Sequence, residues 1–416
     1  MSAEQAQAQA PTHSKEAEQR LKKTPWFIRM MRRPELGAVA GTIIIAMLFY
    51  IFADDSMFKA SGIVNWLQPS AQLGILAVAA AMLMIGGEFD LSIGSMWGFS
   101  GCVLGVALVV WDMPLWAALL VAFAAACLIG AISGQIILKT GLPSFIVTLA
   151  FLFILAGLTL VFLKVSTAPK DLLPSWEVFF ANPLSSTGEV FKTLFWKGGG
   201  GATQLRAIKE AVGDSWGDEF LMEMFSGTSM HFLFAWLHEW GMIDTFTRGK
   251  FVGQPKVTGI HVEVVWFIVL TVVLTFVLLK TKFGNWVFAA GGDPNAARNQ
   301  GVPVKRVKII LFMLTAGAAT LVAAITILSL GSADAIRGFQ KEFFAIIAAV
   351  VGGCLLTGGY GSVICAAFGA IIYGMVFIGI GYTEINQDWF KVFLGGMLLL
   401  AVLFNNFIRK RVTGER

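Results

Sequence analysis

The sequence predicts an all-α, polytopic membrane protein with about ten transmembrane helices. Composition is the first reason. Hydrophobic residues fill 56% of the 416 positions and charged residues 14%, about half the share of a soluble domain, at a mean hydropathy of +0.74. So few charges cannot cover a water-facing surface, and most of the surface must face lipid. Patterning is the second reason. Ten apolar stretches of roughly helical length run near 36–53, 69–86, 95–111, 114–138, 142–163, 262–280, 309–331, 343–357, 362–382 and 388–408. The alternating ten-residue strands of a barrel are absent. A cytosolic enzyme, a secreted disulfide scaffold and a disordered chain are all excluded.

Lysine and arginine placement orients the spans. With the amino terminus inside, the internal segments hold 18 basic residues and the external ones 12, nine of the latter spread over the long stretch 164–261. Both termini are therefore expected on the cytoplasmic side. The chain divides into a basic tail (1–35), a first transmembrane half (36–165), a polar extracytoplasmic insert (166–260), a second half (261–411) carrying a charged inside loop at 281–308, and a short tail (412–416). The first 35 residues read as a polar, Gln/Ala-rich tail and then a basic stretch through Lys22, Lys23, Arg29, Arg32 and Arg33 rather than a cleavable signal, with disorder expected to about Thr24. Residues 54–68 read as a short outside loop. Cys102, Cys127, Cys354 and Cys365 lie inside apolar stretches without metal-ligand spacing and read as small core residues.

Chemistry concentrates in a few polar interruptions. Gly86-Gly87-Glu88-Phe89-Asp90-Leu91-Ser92-Ile93-Gly94-Ser95 sets two carboxylates between apolar runs, and charge at membrane depth is costly enough to suggest function. Glu88, Asp90 and Ser92 are thus candidates for the translocation path. The plainer reading is a helix break with Asp90 or Ser92 capping the next helix. Gly94, Gly98, Gly101 and Gly105 then form a small-residue stripe suited to helix packing. Gly352-Gly353 through Gly361-Ser362 partly echoes the first break, as in transporters built from two halves with interrupted helices. That echo adds Thr357, and the nearby acid Glu342, to the candidate path.

The inside loop is the third feature. Gly284 to Val302 reads as a turn followed by a short helix, with Asp293 or Gly292 at the N-cap, Pro294 at the first helical position and Gly301 at the end. A helix so short is not stable alone and suggests docking into a partner. No phosphate-binding G-x-x-x-x-G-K-[ST] loop is present, and Gly198–Gly201 reads as a linker. If transport uses ATP, another chain must bind it.

Four segments in order resemble the permeases of ribose-type ATP-binding-cassette sugar importers: Gly86–Ser95; Pro143-Ser144-Phe145-Ile146-Val147-Thr148-Leu149; Lys282–Val302; and Glu342–Gly353 with Gly358-Gly359 and Gly361-Ser362. The resemblance runs from about Leu36 to Arg411, broken by the insert, which has no counterpart of that length. It implies a transmembrane subunit, not an enzyme, in the bacterial inner membrane, passing a monosaccharide delivered by a periplasmic binding protein. It implies no cofactor of the chain's own, two permease copies as a homodimer, and a cytoplasmic ATPase touching the loop at Gly291, Gly292, Asn295, Ala296, Ala297, Arg298 and Gly301. Similar permeases carry nucleosides or other small polar solutes. From the residues alone, an ion-coupled secondary transporter using Glu88, Asp90 or Glu342 also stays open, as does a membrane scaffold. A nucleic-acid partner is not expected, since basic residues punctuate apolar runs.

The insert carries Trp176, Trp196, Trp216, Trp236 and Trp240. Amphipathic helices are expected at 203–225 and 229–243, forming an outside cap that rests on the membrane, seats the binding protein or packs only on its own permease. His231 and His238 share a helix face but lack a third ligand for a metal.

Overall fold

The computed structural model describes residues 34–167, 204–206, 208–213, 216–241, 243–245 and 254–413. The basic tail through Arg33, the Gly198–Gly201 linker, Trp176 and Trp196 lie outside the described residues. In chain order the helices are α1 (Pro34–Phe52), α2 (Ala60–Ile85), α3 (Ile93–Val109), α4 (Leu115–Thr140), α5 (Ser144–Ser166), α6 (Trp216–Ser226), α7 (His231–Glu239), α8 (Val262–Lys280), α9 (Lys282–Gly292), α10 (Pro294–Asn299), α11 (Val304–Leu330), α12 (Lys341–Val351), α13 (Val363–Gly379) and α14 (Trp389–Thr413). Two-residue strands β1 (Gln204–Leu205) and β4 (Ala333–Asp334) pair antiparallel, as do β2 (Thr228–Ser229) and β3 (Ile260–His261).

Seven of these helices are long and apolar enough to cross a bilayer: α1, α2, α4, α5, α8, α11, and α13 with its 3-10 extension to Tyr382. Helix α3 and the first part of α14 are shorter apolar helices. The expected span at 343–357 does not form as one helix. Helix α12 has 11 residues, or about 16 Å, roughly half a hydrocarbon core. Gly352 and Gly353 end it.

Other boundaries shift for physical reasons. Residues 60–68, expected in a loop, are the first turns of α2, which runs straight through Pro69. Three of its amide side chains here and in the next turn find partners on other elements: Asn65 donates to the Tyr382 hydroxyl at 3.2 Å, and Gln68 and Gln72 both donate to Glu263 Oε1 at 3.3 Å. The stretch from Gly284 to the expected cap at 292–293, read as a turn, is instead part of α9, capped by Thr281, whose Oγ1 accepts from the Gly284 amide. In the insert the two expected helices are shorter, at 216–226 and 231–239.

Helix α2 is the central post. Its run Ala77–Ile85 is apolar on every side and nearly inaccessible, and it packs among α8, α11, α12 and α13. Helix α1 is the opposite case, with Ile43, Ile44, Met47 and Tyr50 exposed along its outer face, as lipid contact requires. The insert does not stand apart from the bundle. Trp266 Nε1 donates to the Met224 carbonyl at 2.8 Å and stacks on Phe225, holding α6 against α8, while α6 also packs on α11.

Candidate functional site

The two interrupted segments share one geometry. At the end of α2, the amides of Gly86, Gly87 and Glu88 bond the carbonyls of Met82 (3.1 Å), Met84 (2.9 Å) and Leu83 (3.2 Å). At the end of α12, Gly352, Gly353 and Cys354 bond Ala348 (2.9 Å), Val350 (2.8 Å) and Ala349 (3.0 Å). Both are Schellman-type terminations, and both place their second glycine in the left-handed region, φ +81° at Gly87 and +107° at Gly353. Each break then leads into a 17-residue helix, α3 or α13. The glycine echo in the sequence is thus a repeated structural unit.

The acids of the first break are partnered. Glu88 and Lys308 of α11 form an ion pair, both under 9% exposed. Asp90 Oδ1 accepts from the Ser92 amide (2.9 Å) and hydroxyl (2.6 Å), and Asp90 Oδ2 accepts from the Thr315 hydroxyl (2.6 Å). The Phe89 amide donates to Ser144 Oγ (3.0 Å) and the Leu91 amide to Thr148 Oγ1 (3.1 Å). The expected side-chain cap on α3 is absent. Ser92 does occupy the N-cap position, but its hydroxyl donates to Asp90 instead of accepting from the helix. The break is therefore tied to α11 by the side chains of Glu88 and Asp90, and to α5 by hydroxyls that satisfy the half-buried Phe89 and Leu91 amides.

The charged loop at 281–308 folds into α9 and α10 as two short helices meeting at Asp293. The Asp293 carboxylate accepts from the Asn295 and Ala296 amides at 2.9 and 3.0 Å, Pro294 takes the first helical position, and Gly301, at φ +82°, follows the end of α10. Asn295, Ala296 and Arg298 are exposed, whereas Ala297 is buried.

Three glycine pairs bring this loop and both breaks together. The Gly359 amide donates to the Ile85 carbonyl at 2.9 Å. Gly291, at the end of α9, fills the same corner: a Cβ there would meet Ile85 O and stand 2.8 Å from Gly359 N. A Cβ on Gly87 would stand 3.2 Å from Gly291 Cα, and one on Gly358 would stand 2.7 Å from Gly87 Cα. Backbone meets backbone with no room for a side chain, the close approach that glycine permits. Gly292 differs, since a Cβ there meets nothing within 4 Å.

Not every sequence candidate joins this cluster. Glu342 is 2% exposed and packs against Gly94, and its Oε2 is buried without a hydrogen-bond partner. Thr357 is exposed within the second break. The glycine stripe of α3 is only partly a helix-packing seam. Gly101 faces Ile327 of α11, but Gly98 faces the Ala335 and Arg337 carbonyls, Gly94 faces the Gly338 carbonyl, and Gly105 faces Ala333. The non-helical segment 333–338, which begins with β4, thus lies along α3. The insert grips its start through β1, where Gln204 Nε2 also donates to Asp334 Oδ2 at 2.7 Å.

Sequence reasoning missed Lys308, Thr315, Ser144, Thr148 and Glu263. The sequence reading treated Lys308 as part of a loop, but α11 begins at Val304 and carries it inward. A basic residue just beyond the Lys305-Arg306 pair, directly before the apolar run from Ile309, was the available signal. His231 is accounted for without a metal: its ring nitrogens bond Thr228 Oγ1 (3.0 Å) and the Thr258 carbonyl (2.9 Å).

A family profile described as the permease component of the branched-chain amino acid transport system matches residues 62–402. The chain belongs to this permease family. Curated relatives align along almost the whole length. The permease is 27% identical over 369 residues to a xylose transport system permease protein of Haemophilus influenzae, covering 89% of this chain and 95% of the relative. It is 28% identical over 378 residues to the xylose transport system permease protein of Escherichia coli (91% and 93%), and 24% identical over 384 residues to the ribose import permease protein of that organism (92% and 96%). No solved structure matches it significantly. As a permease component it is a transport subunit rather than an enzyme, which agrees with the sequence reading.

Proposed function

We propose that this permease is the membrane subunit of an ATP-driven importer for a small sugar of the pentose class. The observation that carries this is end-to-end similarity to permeases named for xylose and ribose transport, at about nine-tenths of both lengths. A cytoplasmic ATPase would bind the nucleotide, a periplasmic binding protein would deliver the sugar, and a second copy of this chain would complete the path. The protein would reside in the bacterial inner membrane with both termini and the α9–α10 loop in the cytoplasm, the side favoured by its basic residues.

The exposed face of α10, at Asn295, Ala296 and Arg298, is the surface offered to the ATPase. Movement there would reach Ile85, Gly87 and Gly359 through Gly291, because these backbones are in direct contact. Both breaks would then shift together and alternate access to the path. Glu88 and Asp90 serve in this account as fasteners between the first break and α11, which supports ATP-driven over ion-coupled transport. Glu342, Ser92 and Thr357 remain candidates for the path itself. The test is uptake of labelled xylose and ribose by cells lacking and regaining this gene, with the ATPase intact or inactivated. Uptake that follows a proton or sodium gradient and ignores the ATPase would overturn the reading.

A further inference from the structure

The insert leaves one row of side chains that the transport account does not use. Helix α7 buries Phe234 and half-buries Leu237 against Ala60 and Val64 of α2 and Ile260 beside α8. On its other side Phe232, Trp236 and Trp240, spaced four apart, are 88%, 43% and 64% exposed, and the two tryptophan rings contact each other at 4.9 Å. That spacing puts all three on one helix face.

Two spans fix the depth of this face. At about 1.5 Å per residue, Val64 lies about 31 Å along α2 from Ile85, next to one hydrocarbon thickness of roughly 30 Å. Helix α8 has 19 residues, about 28 Å, and Ile260 lies just beyond its start. Both partners of α7 therefore sit one bilayer thickness from the loop that carries Gly291. The same edge of the bundle already carries exposed aromatic residues at helix ends: Tyr50 and Phe52 of α1, Trp111 after α3, Trp116 of α4 and Trp389 of α14. Tryptophan and tyrosine concentrate where hydrocarbon gives way to headgroups.

We propose that α7 is an interfacial helix whose Phe232–Trp236–Trp240 face rests in the headgroup region of the leaflet on the insert side, continuing this aromatic belt. The occupant of the face is phospholipid. Depth and belt continuity favour lipid over a docked protein, which would be met above the headgroups. The insert is thereby held down on its lipid side by α7, while β1 grips residues 333–334 on the other.

The test needs the membrane-inserted protein and no knowledge of the substrate, so it fails or succeeds independently of the transport reading. In the full chain with its four cysteines replaced by alanine, spin labels are attached at Trp236→Cys and, separately, at Trp240→Cys, with the exposed insert residue Glu210→Cys as reference. The protein is placed in nanodiscs of phosphatidylethanolamine and phosphatidylglycerol. Labels at 236 and 240 should relax more strongly with oxygen, which partitions into lipid, than with a water-soluble nickel chelate, and the order should reverse at 210. Greater chelate access at both 236 and 240 would overturn the proposal and leave the face for a protein partner. Should one variant fail to insert, the other gives the same reading.

Discussion

The Gly359 amide donates to the Ile85 carbonyl at 2.9 Å, joining the turn of the second break to the last residue of the central helix. Ile85 and Gly359 belong to opposite halves of the chain, and Gly291 of the α9–α10 loop packs into the corner they make. One backbone junction therefore connects the surface proposed to meet an ATPase with both places where the apolar helices are interrupted.

The Glu88–Lys308 pair predicts an asymmetric mutational response. Lys308→Met leaves a buried carboxylate alone and should destabilise the protein by about 3–5 kcal/mol, whereas Lys308→Met with Glu88→Gln should recover most of that loss. Thermal unfolding in detergent checks both. Equal stability of the single and double variants would show that the pair does not fasten the break.

Thr315→Val removes the only hydrogen bond that reaches Asp90 Oδ2 among the described residues, so a loss of about 1–3 kcal/mol is expected. Thr315→Ser keeps the hydroxyl and loses only a buried methyl, so its loss should be the smaller of the two, about 1 kcal/mol. The same melts read this out, and matching losses for valine and serine would contradict the assigned role.

Neighbouring alanines in α10 should behave differently. Ala296 is exposed and Ala297 is 5% exposed against the bundle. Ala296→Glu is expected to leave folding and insertion intact while abolishing uptake, because it alters only the outward face. Ala297→Glu buries an unpaired charge and should lower the melting temperature as well. Size-exclusion profiles, melts and labelled-sugar uptake together separate the two.

Much of this was legible in the residues. Composition and apolar length were enough for a polytopic helical protein, and the Asp293-Pro294 pair located the start of α10 correctly because capping chemistry is local. Legibility failed where a decision depended on distant partners. The apolar run of the second span starts near 69, yet α2 begins at Ala60, with Asn65 and Gln68 bonded to the distant Tyr382 and Glu263. The stretch 343–357 looked like a span by composition, but Gly352 and Gly353 stop it after half a bilayer. The acids of the first break were visible as unusual, while Lys308 and Thr315, more than 200 positions away, could not be matched to them by any local pattern.

In the proposed mechanism the α9–α10 loop drives both breaks through the Gly291 corner. That coupling is tested most directly by ATP-driven uptake of labelled pentose in cells carrying Gly291→Ala or Gly292→Ala at equal membrane abundance. A methyl at Gly291 collides with the Ile85 carbonyl and the Gly359 amide, while one at the adjacent Gly292 meets open space. The account predicts that uptake is lost in Gly291→Ala and retained in Gly292→Ala. Normal uptake in Gly291→Ala, or equal loss in both, would contradict it.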